Sequence, residues 1–193
     1  MFHKKHLYLI GPGGVGKTTL GPIVANILRL SFIDLDQEFC RRLGNIGEYI
    51  RLYSYEKYIT ENSKLLSVLL TSQDDPAVIA LSSGFLATDV LPEIVAQNRK
   101  LVKQTGTSVL LLPSSEPNKA AQMICSRQIQ RGFGLNSDTE RTKYLSRVEA
   151  YQHLADHQII STQNPEKIAQ EIKQLIAITI HTPISGPINN RVF

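Results

Sequence analysis

Five short segments along the chain read as strands: Leu7-Tyr8-Leu9-Ile10, Ser31-Phe32-Ile33-Asp34, Ala77-Val78-Ile79-Ala80-Leu81, Ser108-Val109-Leu110-Leu111-Leu112 and His157-Gln158-Ile159-Ile160. The third and fourth are apolar at successive positions, as expected where both faces of a parallel sheet are covered. Between the strands the apolar period changes to that of a helix. Leu20, Val24, Ile27 and Leu28 recur at helical spacing over 17–30, and 37–72 is mainly helical, with a break at Leu43-Gly44-Asn45 and a strong second segment over 56–70. Gln73-Asp74-Asp75-Pro76 is a turn, and helices follow over 88–104, 116–130 and 139–154. Asn164 caps a last helix that has Pro165 at its first position and runs to about 180. Strands alternating with helices imply an α/β fold, a five-stranded parallel sheet between two helical layers joined by right-handed crossovers. We read 1–180 as a single domain and 181–193, with its prolines and asparagines, as a C-terminal tail.

The junction of the first strand and first helix carries Gly11-Pro12-Gly13-Gly14-Val15-Gly16-Lys17-Thr18, then Thr19, which satisfies G-x-x-x-x-G-K-[ST] in the context that motif requires. Glycines let successive N–H groups turn inward around a phosphate, and the helix N-terminus adds its positive end. Residues Gly11, Gly13, Gly14, Val15, Gly16, Lys17, Thr18 and Thr19 are therefore expected to bind a nucleoside triphosphate. Lys17 is expected at the β- and γ-phosphates and the Thr18 hydroxyl on Mg²⁺.

The second strand ends in Asp34-Leu35-Asp36. Taken alone, the pair reads as a helix cap followed by a solvated acid. Beside a phosphate-binding loop it reads instead as a ligand-facing pair at the carboxyl edge of the sheet, one carboxylate serving the metal shell and the other an attacking alcohol. Ser82-Ser83-Gly84 ends the third strand with small side chains that allow close approach of a ligand, or form a plain loop. The arginine- and glycine-containing stretch from Arg127 to Ser137 is expected to be a mobile lid, at about 127–139, that brings a guanidinium to the transferring phosphate; Arg127 and Arg131 both qualify. Tyr49, Tyr53, Tyr55 and Tyr58 either wall a pocket or pack as an ordinary apolar face.

Composition narrows the setting. The chain has 193 residues, 42% hydrophobic and 20% charged, enough for one packed α/β domain. A formal charge of +4 suits an anionic ligand, but no basic run interleaved with aromatics suggests nucleic acid. Cys40 and Cys125 lack metal-ligand spacing and are expected as small core or half-buried residues. No segment has membrane-span character, and a cytoplasmic monomer is the expectation.

Together these motifs resemble the shikimate kinases, small P-loop kinases of the nucleoside-monophosphate-kinase type, over about residues 6–180. The resemblance implies ATP and Mg²⁺ as cofactors, with Thr18 and Asp34 in the metal shell. It implies that Asp36 holds the acceptor hydroxyls, that Arg131 is the lid arginine, and that the substrate-binding region spans about 36–62. An Arg-x-x-x-Tyr-x-x-x-Ala-Asp pattern is met by Arg147, Tyr151, Ala155 and Asp156, which makes Arg147 a bidentate partner for a substrate carboxylate. By the same resemblance Asp36, Ser83, Gly84 and Arg147 form the substrate site, and Lys17, Asp36 and Arg131 are catalytic.

Two departures stand out. Where the family has Phe-Arg-x-x-Glu, this chain has Tyr58-Ile59-Thr60-Glu61-Asn62, so a second carboxylate-binding arginine is replaced by Ile59; Arg51 and Lys57 are the candidate substitutes, and Ile59→Arg is expected to strengthen acceptor binding. A glycine triplet is replaced by Ser82-Ser83-Gly84. The expected activity is transfer of the ATP γ-phosphate to shikimate, giving ADP and shikimate 3-phosphate. The alternatives are a kinase for another small hydroxylated acceptor and a non-catalytic nucleotide-binding regulator.

Overall fold

The structure, a computed structural model, describes residues 6–130 and 136–181. Its strands β1 (His6–Ile10), β2 (Ser31–Asp34), β3 (Ala77–Ala80), β4 (Gly106–Leu112) and β5 (His157–Ile160) form one parallel sheet in the order β2-β3-β1-β4-β5. The helices are α1 (Lys17–Leu28), α2 (Leu35–Leu43), α3 (Ile46–Tyr53), α4 (Tyr55–Ser72), α5 (Pro92–Thr105), α6 (Pro117–Gln130), α7 (Ser137–Gln152) and α8 (Pro165–His181).

The side-chain alternation of the central strand divides the core in two. Leu7 and Leu9 pack with Leu20 and Val24 of α1 and Ala169 and Ile172 of α8. Tyr8 and Ile10 face the other way, into a larger cluster with Leu35, Phe39, Leu66, Ile79 and Ile124. Since every residue of β1 and β3 is buried, the sheet centre is covered on both faces, as the apolar runs require.

The region between β2 and β3 holds three helices rather than two. Besides the break at Gly44-Asn45, the chain turns at Ser54, whose φ of 131° no helix accommodates and whose Oγ accepts from Lys57 N. The helix expected over 88–104 begins later, at Pro92. Residues before it form an irregular strap, tied down where Asn98 Nδ2 donates to Phe85 O (3.3 Å) and Arg99 Nε to Leu86 O (2.8 Å). Asn164 caps α8 as expected, its Oδ1 accepting from Lys167 N. Cys125 is buried, but Cys40 is exposed, because the core-facing positions of α2 are Leu35 and Phe39. Of the expected lid over 127–139, residues 127–130 and 137–139 are the facing ends of α6 and α7; Arg131, Gly132 and Phe133 lie outside the described residues, as does the tail from 182.

Candidate active site

At the carboxyl edge of the sheet, β1 leads into the glycine loop and α1. Gly14 and Gly16 take φ values of +79° and +107°, which L side chains adopt only under strain, and Gly16 serves as the N-cap of α1. Lys17 Nζ arches back over the loop and donates to the carbonyls of Gly11 (2.7 Å) and Pro12 (3.0 Å).

A cavity of about 410 Å³ flanks the loop, lined by Gly14, Val15, Gly16, Thr19 and Arg127 and, opposite, by residues 161–163 and Pro165. It has the size for a nucleoside group. Arg127 thus stands with the loop, whereas the segment after β5 carries no motif and was invisible to sequence reasoning. Gly13 faces a second, nearly closed cleft of about 20 Å³, shared with Pro12, Ser83, Gln128, Lys143, Tyr144 and Arg147.

The two aspartates of Asp34-Leu35-Asp36 do different work. Asp34, 7% exposed, caps α2 by accepting from Asp36 N (3.0 Å) and Gln37 N (3.1 Å) through Oδ1. Its Oδ2 accepts from the Thr18 hydroxyl at 2.7 Å. The cap reading of Asp34 is therefore met through one oxygen, while the other faces the Thr18 hydroxyl. A hydroxyl and a carboxylate so placed form the hard-oxygen set that suits Mg²⁺ carrying waters and phosphate oxygens. Among the described residues, no group of three or more His, Cys, Asp or Glu side chains is arranged to hold a metal by itself.

Asp36 is half-buried in the first turn of α2. Its Oδ1 accepts from Ser82 Oγ at 2.5 Å and from Tyr58 Oη at 3.4 Å. Ser82, rather than Ser83, is the serine that reaches the carboxylate. Ser83 instead accepts a hydrogen bond at its backbone carbonyl from the Tyr151 hydroxyl and lines the cleft beside Arg147. Burial pushes the Tyr58 and Tyr151 hydroxyls well above the usual tyrosine range, so both stay protonated donors.

Gly84 meets Arg147. A Cβ on Gly84 would lie 2.6 Å from Tyr55 Oη and 3.5 Å from the Arg147 guanidinium, and Arg147 Nη2 donates to Tyr55 Oη at 3.1 Å. Asp156, at the end of the Arg147 motif, accepts from Ser108 N and Oγ and stitches the start of β5 to β4. The tyrosines serve both expected purposes: Phe39 makes edge contacts with Tyr49 and Tyr58, while Tyr55 and Tyr58 present hydroxyls to the site.

Ile59 is 6% exposed and belongs to the core cluster of Tyr58, Leu65 and Phe85. Neither proposed substitute for an arginine there reaches the cleft. Lys57 Nζ is paired with Glu61 at 3.0 Å on the outer face of α4, and Arg51 is exposed on α3. The cation that does share the cleft with Arg147 is Lys143, one turn earlier on α7 and 3.6 Å from Glu140. Sequence reading missed it, since no spacing rule distinguishes it from a solvated lysine.

Known proteins match the chain over most of its length. A shikimate kinase family model matches residues 13–177. The pentafunctional AROM polypeptide of Schizosaccharomyces japonicus is 28% identical over 156 residues, which are 79% of this chain and 9% of that protein. The chain thus spans a small part of such relatives. It spans nearly the whole of the shikimate kinase of Enterococcus faecalis, 28% identical over 172 residues, covering 87% of this chain and 96% of that one. Among solved structures, the shikimate kinase from Acinetobacter baumannii in complex with shikimate matches with a TM-score of 0.75 and 27% identity, over 92% of this chain and 96% of that one. With the match running from the phosphate loop to α8, the chain belongs to the shikimate kinase family.

Proposed function

We propose that the protein is an ATP-dependent phosphotransferase whose acceptor is the hydroxyl of a small hydroxy acid, shikimate first, giving shikimate 3-phosphate and ADP. The observation that carries this reading is the meeting of two residues of one short segment with the two recognition groups such an acceptor needs. Ser82 bonds the Asp36 carboxylate while Gly84 lies against the Arg147 guanidinium, beside the phosphate loop. The likeness to a solved shikimate kinase complexed with shikimate supports the choice of acceptor.

In this reading Lys17 and the loop N–H groups bind the triphosphate, and Thr18 with Asp34 would hold Mg²⁺. When bound, Mg²⁺ supplies positive charge to the β- and γ-phosphate oxygens. Arg147 takes the acceptor carboxylate, with Lys143 alongside, and Asp36 orients the acceptor hydroxyl. As the alcohol oxygen bonds to the γ-phosphorus, its proton passes to Asp36. The bond from phosphorus to the bridging oxygen then breaks, leaving its electron pair on ADP. Arg127, and Arg131 from the lid, would face developing phosphate charge.

The same reading takes 1–180 as one catalytic domain, a cytoplasmic monomer acting on small molecules rather than nucleic acid or membranes. No helix among the described residues is long and apolar enough to cross a membrane. Buried Ile59 favours one variation, a different hydroxy acid whose carboxylate needs fewer cations.

The test is ADP release with Mg²⁺ and ATP, with and without shikimate, using Lys17→Ala as the blank. Shikimate-dependent turnover lost in Lys17→Ala supports the proposal. ATP binding without stimulation by shikimate moves the acceptor to another hydroxy acid, and unchanged turnover in Lys17→Ala refutes the site.

A further inference from the structure

Three side chains beside Asp36 form one hydrogen-bonded group, two of them bonded to its carboxylate and the third to those two. Asn62 of α4 is 2% exposed, and its Nδ2 donates to Ser82 Oγ at 2.9 Å and to Tyr58 Oη at 3.3 Å. Both hydroxyls in turn donate to the same atom, Asp36 Oδ1, at 2.5 Å and 3.4 Å respectively.

The proton count fixes the direction of these bonds. An amide NH₂ has two hydrogens, and each hydroxyl has one hydrogen and lone pairs to accept with. Once Asn62 donates to both hydroxyl oxygens, the hydroxyl protons are both directed at Asp36. The Asn62 Oδ1 atom is buried with no hydrogen-bond partner among the described residues. A buried carbonyl left without a partner is unfavourable, and what holds the amide against that cost is the pair of bonds its Nδ2 donates to the two hydroxyls. Among the described residues no hydrogen bond engages Asp36 Oδ2.

We propose that Asn62 is a positioning residue for phosphoryl transfer: it sets Tyr58 and Ser82 as a pair of donors that clamp Oδ1 of Asp36 and aim Oδ2 at the acceptor hydroxyl. This deepens the kinase reading and rests on it. A neutral amide holds the catalytic carboxylate through two hydroxyls, and the adjacent Ile59 closes the core behind it. Because no cation among the described residues takes part, the clamp aligns Asp36 without a competing partner for its charge.

The experiment compares wild type, Asn62→Leu, the Tyr58→Phe/Ser82→Ala double variant and the triple variant, measuring kcat and both KM values with ATP and shikimate. Losing the alignment is expected to lower kcat about 3- to 10-fold in Asn62→Leu, the range for a hydrogen bond between neutral groups, with the KM for ATP within about twofold of wild type. The triple variant is expected to be no slower than the double, because Asn62 acts through the hydroxyls already removed. A triple variant slowed by the full additional factor of Asn62→Leu, or an Asn62→Leu enzyme with kcat within about twofold of wild type, overturns the proposal. Should Asn62→Leu fail to fold, Ser82→Ala and Tyr58→Phe singly must each lower kcat, or the clamp is wrong. If wild type itself shows no shikimate-dependent turnover, the kinase reading has failed on acceptor identity. The same four proteins in thermal unfolding then decide the clamp, with sub-additive losses of Tm supporting it and additive ones overturning it.

Discussion

Replacing Gly84 by alanine separates acceptor binding from folding. Gly84 is not held at positive φ, so its backbone admits a side chain. The added Cβ would sit 2.6 Å from Tyr55 Oη, too close for any real contact, but that atom is the end of a movable side chain. The Arg147 nitrogens, at 3.5 and 3.6 Å, are at ordinary contact distance. The cheapest relief is for the Tyr55 hydroxyl to withdraw, which breaks its 3.1 Å bond from Arg147 Nη2. A hydrogen bond to a charged group contributes about 1.5–3 kcal/mol, so a guanidinium released from its orienting partner should bind the acceptor carboxylate about 10- to 100-fold more weakly. Fold stability should fall by less than about 1 kcal/mol, since no core contact is lost and the site opens to water. Steady-state kinetics should therefore show a raised KM for shikimate, an unchanged KM for ATP and a Tm within about 4 °C of wild type. In a Tyr55→Phe background, which has already lost the hydroxyl, Gly84→Ala should add little. An unaltered shikimate KM in Gly84→Ala, or equal effects in both backgrounds, would refute the placement of Arg147 as acceptor clamp.

Further expectations concern the neighbouring residues and the core. Ile59→Arg would force a guanidinium into a site 6% exposed, so it should destabilise by about 3 kcal/mol or more and leave acceptor affinity no better; a stable variant with a lower shikimate KM would restore the gain expected from sequence. Thr18→Val removes the hydroxyl that donates to Asp34 and should raise the Mg²⁺ concentration needed for half-maximal activity about tenfold, a titration that an indifferent metal site would leave unmoved. Burial pushes the Tyr8 hydroxyl from 10.0 up to about 12, with its bond to Thr105 opposing the shift. Tyrosines in the unfolded chain lose their protons first, so above about pH 10 the unfolded state binds fewer protons and stability declines toward pH 12. The stability advantage of wild type over Tyr8→Phe should shrink by up to about 3 kcal/mol across that window; a constant difference in chemical denaturation would contradict it.

The order of strands and helices, the phosphate loop and the cap at Asn164 were legible in the sequence because each depends on local rules. Apolar runs mark buried parallel strands, G-x-x-x-x-G-K-T fixes a turn before a helix, and Asn-Pro starts one. The break at Ser54 was not legible, because a positive φ at a serine is imposed by the packing of α3 and α4 rather than by its own preference. Asp34 was ambiguous as a word in the sequence, since capping and ligand-facing carboxylates share one signature. Register brings its two neighbours together: Asp34 pairs with Ala80 at the end of β2, where one oxygen caps α2 and the other is within reach of Thr18 on α1.

The acceptor site depended most on tertiary structure. Asp36, Tyr58, Asn62 and Ser82 are spread over two helices and the segment after β3, and no periodicity relates them. Sequence alone named Ser83 and left Ser82 aside, because adjacent serines are indistinguishable until the pleat and the following turn send one to Asp36 and the other's carbonyl to Tyr151. It likewise read Asn62 and Ile59 as losses from a family pattern. By itself, then, the sequence determined that this chain folds around a triphosphate-binding loop, since those signals lie within a few consecutive residues. Only the tertiary structure decided which side chains gather around Asp36 and Arg147, since hydrogen bonds across 20 to 92 residues of chain exist only once the sheet has brought α2, α4 and α7 to the same edge.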